Sequence, residues 1–128
     1  MGGASGGETD VLIVSAGATA NATNITSFTA DSSTSNSGTA NLTTKVGGGT
    51  IDIGNSTTGA YSITGLSGND TLKGNGNADI INGGGGDDNI DGRGGNDEIN
   101  AGAGDDIITV SSAGQGDGDT IDGGSGTD

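Results

Sequence analysis

The sequence predicts an all-β repeat chain, and three observations predict it. Asp recurs at nine-residue steps through the second half of the 128 residues, with an aliphatic residue two places after it. The apolar residues of the first half fall in short β-prone runs divided by Gly-, Ser- and Thr-rich stretches. None of those runs has the i, i+3, i+4 spacing of a helix.

Composition narrows what such a chain can do. It has 30 Gly, no Pro, no Cys and no His, and only 27% of its residues are hydrophobic, too few for an ordinary globular core. The glycines follow no G-x-y period, which excludes collagen. A net charge of −14 with three basic residues argues against nucleic acid and anionic membranes, because both are bound through Lys and Arg. Cations are the natural partners. No apolar run reaches the roughly 18 residues of a membrane span. The opening "MGGASGGETD" lacks the basic and apolar regions of a signal peptide, so an exported chain would use another route or be a mature or excised piece. Acidity with low hydrophobicity also fits disorder, unless the repeat itself orders the chain. Without His or Cys the usual general bases and thiol nucleophiles are missing, and the chain is not expected to be an enzyme.

In chain order, the β-prone runs are "VLIV" at 11–14, "NITSF" at 24–28, "ANLTTKV" at 40–46, "TIDI" at 50–53 and "AYSIT" at 60–64. The stretch from Ser27 to Thr44, which holds "DSSTSNSGT", is expected to be a loop. Residues 1–64 carry −3 of the charge, from Glu8, Asp10, Asp31 and Asp52 against Lys45. Five N-x-S/T triplets begin at Asn21, Asn24, Asn41, Asn55 and Asn69; in a chain this rich in Asn, Ser and Thr they arise freely and do not by themselves mark glycosylation.

From Gly65 the repeat is plain: GLSGNDTLK, GNGNADIIN, GGGGDDNID, GRGGNDEIN, AGAGDDIIT, an insertion VSSA, GQGDGDTID and the partial GGSGTD. Asp fills the sixth slot at 70, 79, 88, 97, 106, 119 and 128. Leu72, Ile81, Ile90, Ile99, Ile108 and Ile121 fill the eighth, where strand alternation turns one side chain per repeat inward. One buried aliphatic in nine residues cannot offset the entropy of ordering them. The stacked carboxylates therefore call for a counter-charge.

Residues 65–128 resemble the RTX, or haemolysin-type, calcium-binding repeat with consensus G-G-x-G-x-D-x-U-x. The resemblance implies a parallel β-roll, a β-solenoid in which two nonapeptides make one coil. Six residues of each repeat form a calcium-binding turn and three a short strand. It also implies that calcium, a hard cation taking six to eight oxygens, sits between repeats two apart, and that folding is coupled to it.

The family's ligand scheme, carried over, takes carbonyls from slots two and four with the Asp of one repeat, and carbonyls from slots one and three with the Asp of the other. Leu66, Gly68 and Asp70 would face Gly83, Gly85 and Asp88, while Asn75, Asn77 and Asp79 would face Gly92, Gly94 and Asp97. Gly84, Gly86 and Asp88 would face Ala101, Ala103 and Asp106. Across the insertion, Arg93, Gly95 and Asp97 would face Gly114, Gly116 and Asp119. Gly102, Gly104 and Asp106 would face Gly123, Ser125 and Asp128. That makes about five internal calcium ions. Gln115, Asp117 and Asp119, and Gly124, Gly126 and Asp128, are left without partners. Asp87, Asp91, Asp105 and Asp122 lie outside the sixth slot and are expected to be solvated.

Leu42, Ile51, Ile63 and Leu72 keep close to the repeat step, but no Asp sits two places before Leu42, Ile51 or Ile63. The segment 1–64 thus reads as the same solenoid continued backward without calcium, with a small separate β-sandwich as the alternative. The expected protein is a secreted, extracellular or cell-surface structural protein that joins head to tail as a homopolymer, with Asp128 and Asp119 helping to bind calcium across the junction. The degenerate repeat beginning around Asp10 and Leu12 would supply the other side of that junction. The lack of any segment after the repeats favours this over a calcium-dependent folding module excised from a larger protease, toxin or adhesin. An ice-binding solenoid is disfavoured, since the fifth slot reads Asn, Ala, Asp, Asn, Asp, Gly, Thr.

Overall fold

The computed structural model describes residues 12–110 and 118–128. Short strands and turns alternate, and every strand pair is parallel. One sheet of five strands runs β12 (Ile107–Thr109), β10 (Asn89–Asp91), β8 (Thr71–Lys73), β6 (Thr50–Asp52), β3 (Ser27–Thr29). A second, of six strands, runs β13 (Thr120–Ser125), β11 (Glu98–Ala103), β9 (Ile80–Gly85), β7 (Ser62–Thr64), β5 (Thr39–Thr44), β2 (Thr19–Ile25). A two-stranded sheet, β1 (Ile13–Val14) with β4 (Ser35–Asn36), lies beside them. Neighbours within a sheet are never neighbours in sequence, so the chain winds as a β-solenoid with one strand per sheet in each coil. Among the described residues there is no helix long and apolar enough to cross a membrane.

Register puts the repeat's eighth slot inside. Ile51 pairs with Leu72, Leu72 with Ile90 and Ile90 with Ile108; across the core Leu42, Ile63, Ile81, Ile99 and Ile121 align in the same way. Residues on either side point outward, as strand alternation requires. A coil takes 18 residues between Asp70 and Asp88, but 20 between Asn21 and Asn41, 21 between Gly49 and Asp70 and 22 across the insertion. The added residues are absorbed in turns, and the strands stay in register.

From residue 12 on, the described part of the first half is the same solenoid, since β5 pairs with β7 and β7 with β9, while β3 pairs with β6 and β6 with β8. The separate sandwich is thereby excluded. The loop expected from Ser27 to Thr44 is a correction: β3, β4 and the whole of β5 lie within it. Phe28, Ala30, Asn36, Ala40 and Leu42 supply its buried positions. The polar surface of "DSSTSNSGT" hid them.

A second correction concerns the last two of the eighth-slot aliphatics. Leu72, Ile81, Ile90 and Ile99 are at most 2% exposed, but Ile108 is only partly buried and Ile121 is 41% exposed. Both belong to the last described coil, which has a neighbouring coil on one side only. Close stacking also explains the fourth-slot glycines. Gly86 has φ of +110°, and a β-carbon there would meet the Gly68 backbone at 2.6 Å.

Burial makes these aliphatics unequal. In calcium, Ile81→Ala should lower unfolding stability by about 2–5 kcal/mol and Ile121→Ala by about 1 kcal/mol or less, measured by denaturant titration. Equal losses would contradict the described packing.

Candidate metal centre

The sixth-slot carboxylates stand at the end of each turn, just before a strand, and stacking brings them into two rows along the edges of the solenoid. The backbone N–H of each donates to Oδ1 of the Asp one coil on: Asp70 to Asp88, Asp79 to Asp97, Asp88 to Asp106 and Asp97 to Asp119, all at 2.8 Å, and Asp106 to Asp128 at 3.3 Å. Its carbonyl accepts from the residue after the next coil's Asp, as Asp70 does from Asn89 at 2.9 Å. Five of the carboxylates, Asp70, Asp79, Asp88, Asp97 and Asp106, are thereby 1–3% exposed.

One oxygen of each is used up in this way; in four of the five the other is not. Oδ2 of Asp70, Asp88, Asp97 and Asp106 is buried without a hydrogen-bond partner, while Oδ2 of Asp79 accepts from the Asn75 N–H at 2.8 Å. A buried carboxylate oxygen facing no donor is costly when ionised. Burial accordingly raises Asp79 to about 6, against two backbone hydrogen bonds and aided by the charge of Asp97. Asp97 rises to about 6, again mainly by burial, with the charges of Asp119 and Asp91 adding to it. Burial, then the charges of Asp70, Asp106 and Asp87, pushes Asp88 upward as well.

The space beside each Oδ2 is defined by the first slot of the repeat. A β-carbon added at Gly74 would stand 2.6 Å from Asp79 Oδ2 and 2.5 Å from the Gly92 carbonyl oxygen. At Gly83 it would be 2.5 Å from Asp88 Oδ2, and at Gly65 and Gly123 2.7 Å from Asp70 and Asp128 Oδ2. Such distances exclude carbon but are close to the calcium–oxygen length of about 2.3–2.6 Å. Among the described residues no three carboxylates converge on one point, so backbone carbonyls must complete any ligand set. An unpartnered carboxylate oxygen beside a carbonyl, in a cradle too tight for a methyl group, fits a hard divalent cation.

Stacking sets alternate repeats on one another. Repeats 65–73 and 83–91, 74–82 and 92–100, and 83–91 and 101–109 lie coil on coil. Across the insertion the strands that follow the two turns are in register, with Glu98 opposite Thr120 and Ile99 opposite Ile121; Gly114, Gln115, Gly116 and Asp117 fall outside the described residues. Second- and third-slot carbonyls already serve the backbone: Leu66 O accepts from Gly85 N–H at 3.1 Å and Gly85 O from Gly68 N–H at 2.7 Å. Each keeps a second lone pair for an ion. Arg93 holds a second-slot position at φ of +69° without being glycine; its guanidinium donates to Asp52 Oδ1 at 3.2 Å.

The acidic residues expected to be solvated are only partly so. Asp87, Asp105 and Asp122 are exposed, yet Asp87 N–H donates to Asn69 Oδ1, Asp105 N–H to Asp87 Oδ1 and Thr127 N–H to Asp105 Oδ1, each at 3.0 Å. This outer ladder was missed in the sequence, although Asn69, Asp87 and Asp105 all occupy the fifth slot. Asp91 is half-buried, accepts from Arg93 N–H at 3.0 Å and lies 4.0 Å from Arg93 Nε.

The family model described as the RTX calcium-binding nonapeptide repeat (four copies) matches residues 58–90 and 83–112. Neither the curated proteins nor the solved structures give a match.

Two outcomes follow from the carboxylate rows. Asp88→Ala removes an oxygen donor from two stacked turns and should weaken calcium binding by tenfold or more in isothermal titration, whereas Asp91→Ala should leave it within a few-fold. Equal effects would contradict the assignment. For pH, the raised carboxylates of the calcium-free fold are protonated below about 6, and a ligand must be deprotonated. Calcium affinity should therefore fall as pH drops through 6, with protons released on binding. In chelator the sign reverses: raised carboxylates favour the folded chain at acid pH, and that contribution is lost as pH rises through about 6. Circular dichroism across pH 4–8, with and without calcium, reads both trends.

Proposed function

We propose that this chain, whose residues 58–112 match the RTX calcium-binding nonapeptide repeat, is a secreted structural protein whose C-terminal coils are folded and locked by calcium. The single observation that carries the reading is the set of buried Oδ2 atoms of Asp70, Asp88, Asp97 and Asp106, which find no hydrogen-bond donor. The sites take the paired ligand sets named from the repeat, about five ions in all, with Asp70, Asp79, Asp88, Asp97, Asp106, Asp119 and Asp128 as the side-chain donors. Each ion is shared between successive coils, so binding and stacking are one event. Such sites suit the calcium-rich extracellular medium, where a chain synthesised without calcium folds on arrival.

Head-to-tail assembly into a filament, matrix fibre or surface layer is the finer reading. It is supported by the apolar surface that the last described coil leaves uncovered, with Ile121 41% exposed, and by β12 and β13, each paired on one side. An exposed coil face of this kind accepts a further coil, and a heterologous contact with another copy propagates. In a calcium-dependent module of a larger protein, coils of the same polypeptide would cover that surface instead.

Calcium added to chelated protein should produce a β spectrum in circular dichroism together with growth in light scattering. Deletion of residues 123–128 should abolish the growth. An unchanged β spectrum in chelator would overturn calcium-locked folding; particles that stay monomeric at high concentration in millimolar calcium would overturn assembly and leave the module reading.

A further inference from the structure

The row of unpartnered buried oxygens extends one coil beyond the recognisable repeats. Thr44 is 0% exposed, and its Oγ1 has no hydrogen-bond partner. Pairing of Thr43 with Thr64 and of Thr50 with Thr71 places "TKVGGG", residues 44–49, over the "GLSGND" turn of residues 65–70. Thr44 stands in the first slot and Gly49 in the sixth, where later turns carry glycine and Asp.

The backbone of this turn repeats that of the turns below it. Gly47 N–H donates to Ser67 O at 2.6 Å, as Gly68 N–H does to Gly85 O at 2.7 Å. Gly47 and Gly68 share φ of +97°. Gly49 N–H donates to Asp70 Oδ1 at 2.6 Å, as Asp70 N–H does to Asp88 Oδ1 at 2.8 Å. What the turn lacks is its own carboxylate. The position of a β-carbon at Gly49 is 3.2 Å from Thr44 Cβ, so the threonine side chain stands beside the vacant sixth-slot side-chain position.

We propose that the turns 44–49 and 65–70 together bind a further divalent cation of the calcium class, with Thr44 Oγ1 taking the place of the missing Asp. Asp70 supplies the carboxylate, and the carbonyls of Lys45, Gly47, Gly65 and Ser67 occupy the slots used in the other turns. Lys45 O accepts from Gly48 N–H at 3.3 Å and retains a lone pair. The hydroxyl satisfies its own need by the same bond, since a buried Thr oxygen without a partner is otherwise unfavourable. With one carboxylate instead of two, the site is weaker than those between successive Asp residues and fills last. The turn 44–49 lies outside the matched residues 58–112, and the proposal rests on calcium binding by the repeats themselves.

Native mass spectrometry of the full chain at saturating calcium counts the ions. Thr44→Val, which keeps the shape and removes the oxygen, should hold one calcium fewer than the parent; Thr44→Ser, which keeps the oxygen, should hold the parental number. Circular dichroism in calcium checks that both variants retain the β spectrum. If Thr44→Val lowers it, the serine variant decides, because loss of an ion there would mean that Thr44 acts by filling space. A Thr44→Val chain carrying the parental number overturns the site. A parent chain that binds no calcium at all is a different result, and overturns the broader reading.

Discussion

A buried carboxylate oxygen with no donor in reach is the constraint on which the C-terminal coils depend. Parallel stacking forces it. The N–H of each sixth-slot Asp must find an acceptor, and Oδ1 of the next coil's Asp is the one in place, at 2.8 Å from Asp70 to Asp88 and from Asp79 to Asp97. That bond fixes the carboxylate and turns Oδ2 inward, away from water. Repeated every coil, it builds two rows of like charge in a chain of net charge −14. A carboxylate row of this kind is stable only protonated or bound to cations. Calcium turns the liability into a staple between coils.

The preceding coils solve the same stacking problem with side chains. At the sixth slot Gly49 and Tyr61 replace Asp, and their N–H groups donate to Asp70 and Asp79 Oδ1. At the first slot, where Gly74 leaves a cradle, the coil above places Ile53, which is fully buried. The Tyr61 hydroxyl is 2.8 Å from Ser56 Oγ, which donates to Thr34 O at 3.1 Å. Phe28, Leu42, Ile51 and Ile63 belong to an apolar interior richer in buried hydrophobic residues than that of the repeats. One fold therefore carries two means of cohesion, apolar burial at one end and ion binding at the other, joined by the salt bridges of Lys73 and Arg93 to Asp52.

The repeats were legible because their period fixes both faces at once. Asp and the aliphatic two places on could be assigned an edge and a core without any coordinates. The strand at 39–44 was legible only as the β-prone run at 40–46, and the short pairings within 27–36 were not, because their buried residues include Thr34 and Asn36, which carry no hydrophobic signal. Their burial is imposed by the coils they stack on and by hydrogen bonds such as Asn55 Nδ2 to Ala30 O at 2.9 Å. The candidate site was legible as a row of carboxylates. Its inner geometry was not: which oxygen meets an amide and which meets nothing is decided by stacking, and the Thr44 hydroxyl belongs to that row only through register.

Residue-resolved hydrogen exchange in calcium and in chelator tests the central claim most directly, since the amides of Asp70, Asp79, Asp88 and Asp97 are held by the stacked carboxylates themselves. These four amides should be strongly protected in calcium and exchange rapidly in chelator, with addition of calcium restoring protection in all four together. Protection that is the same with and without calcium would contradict the account.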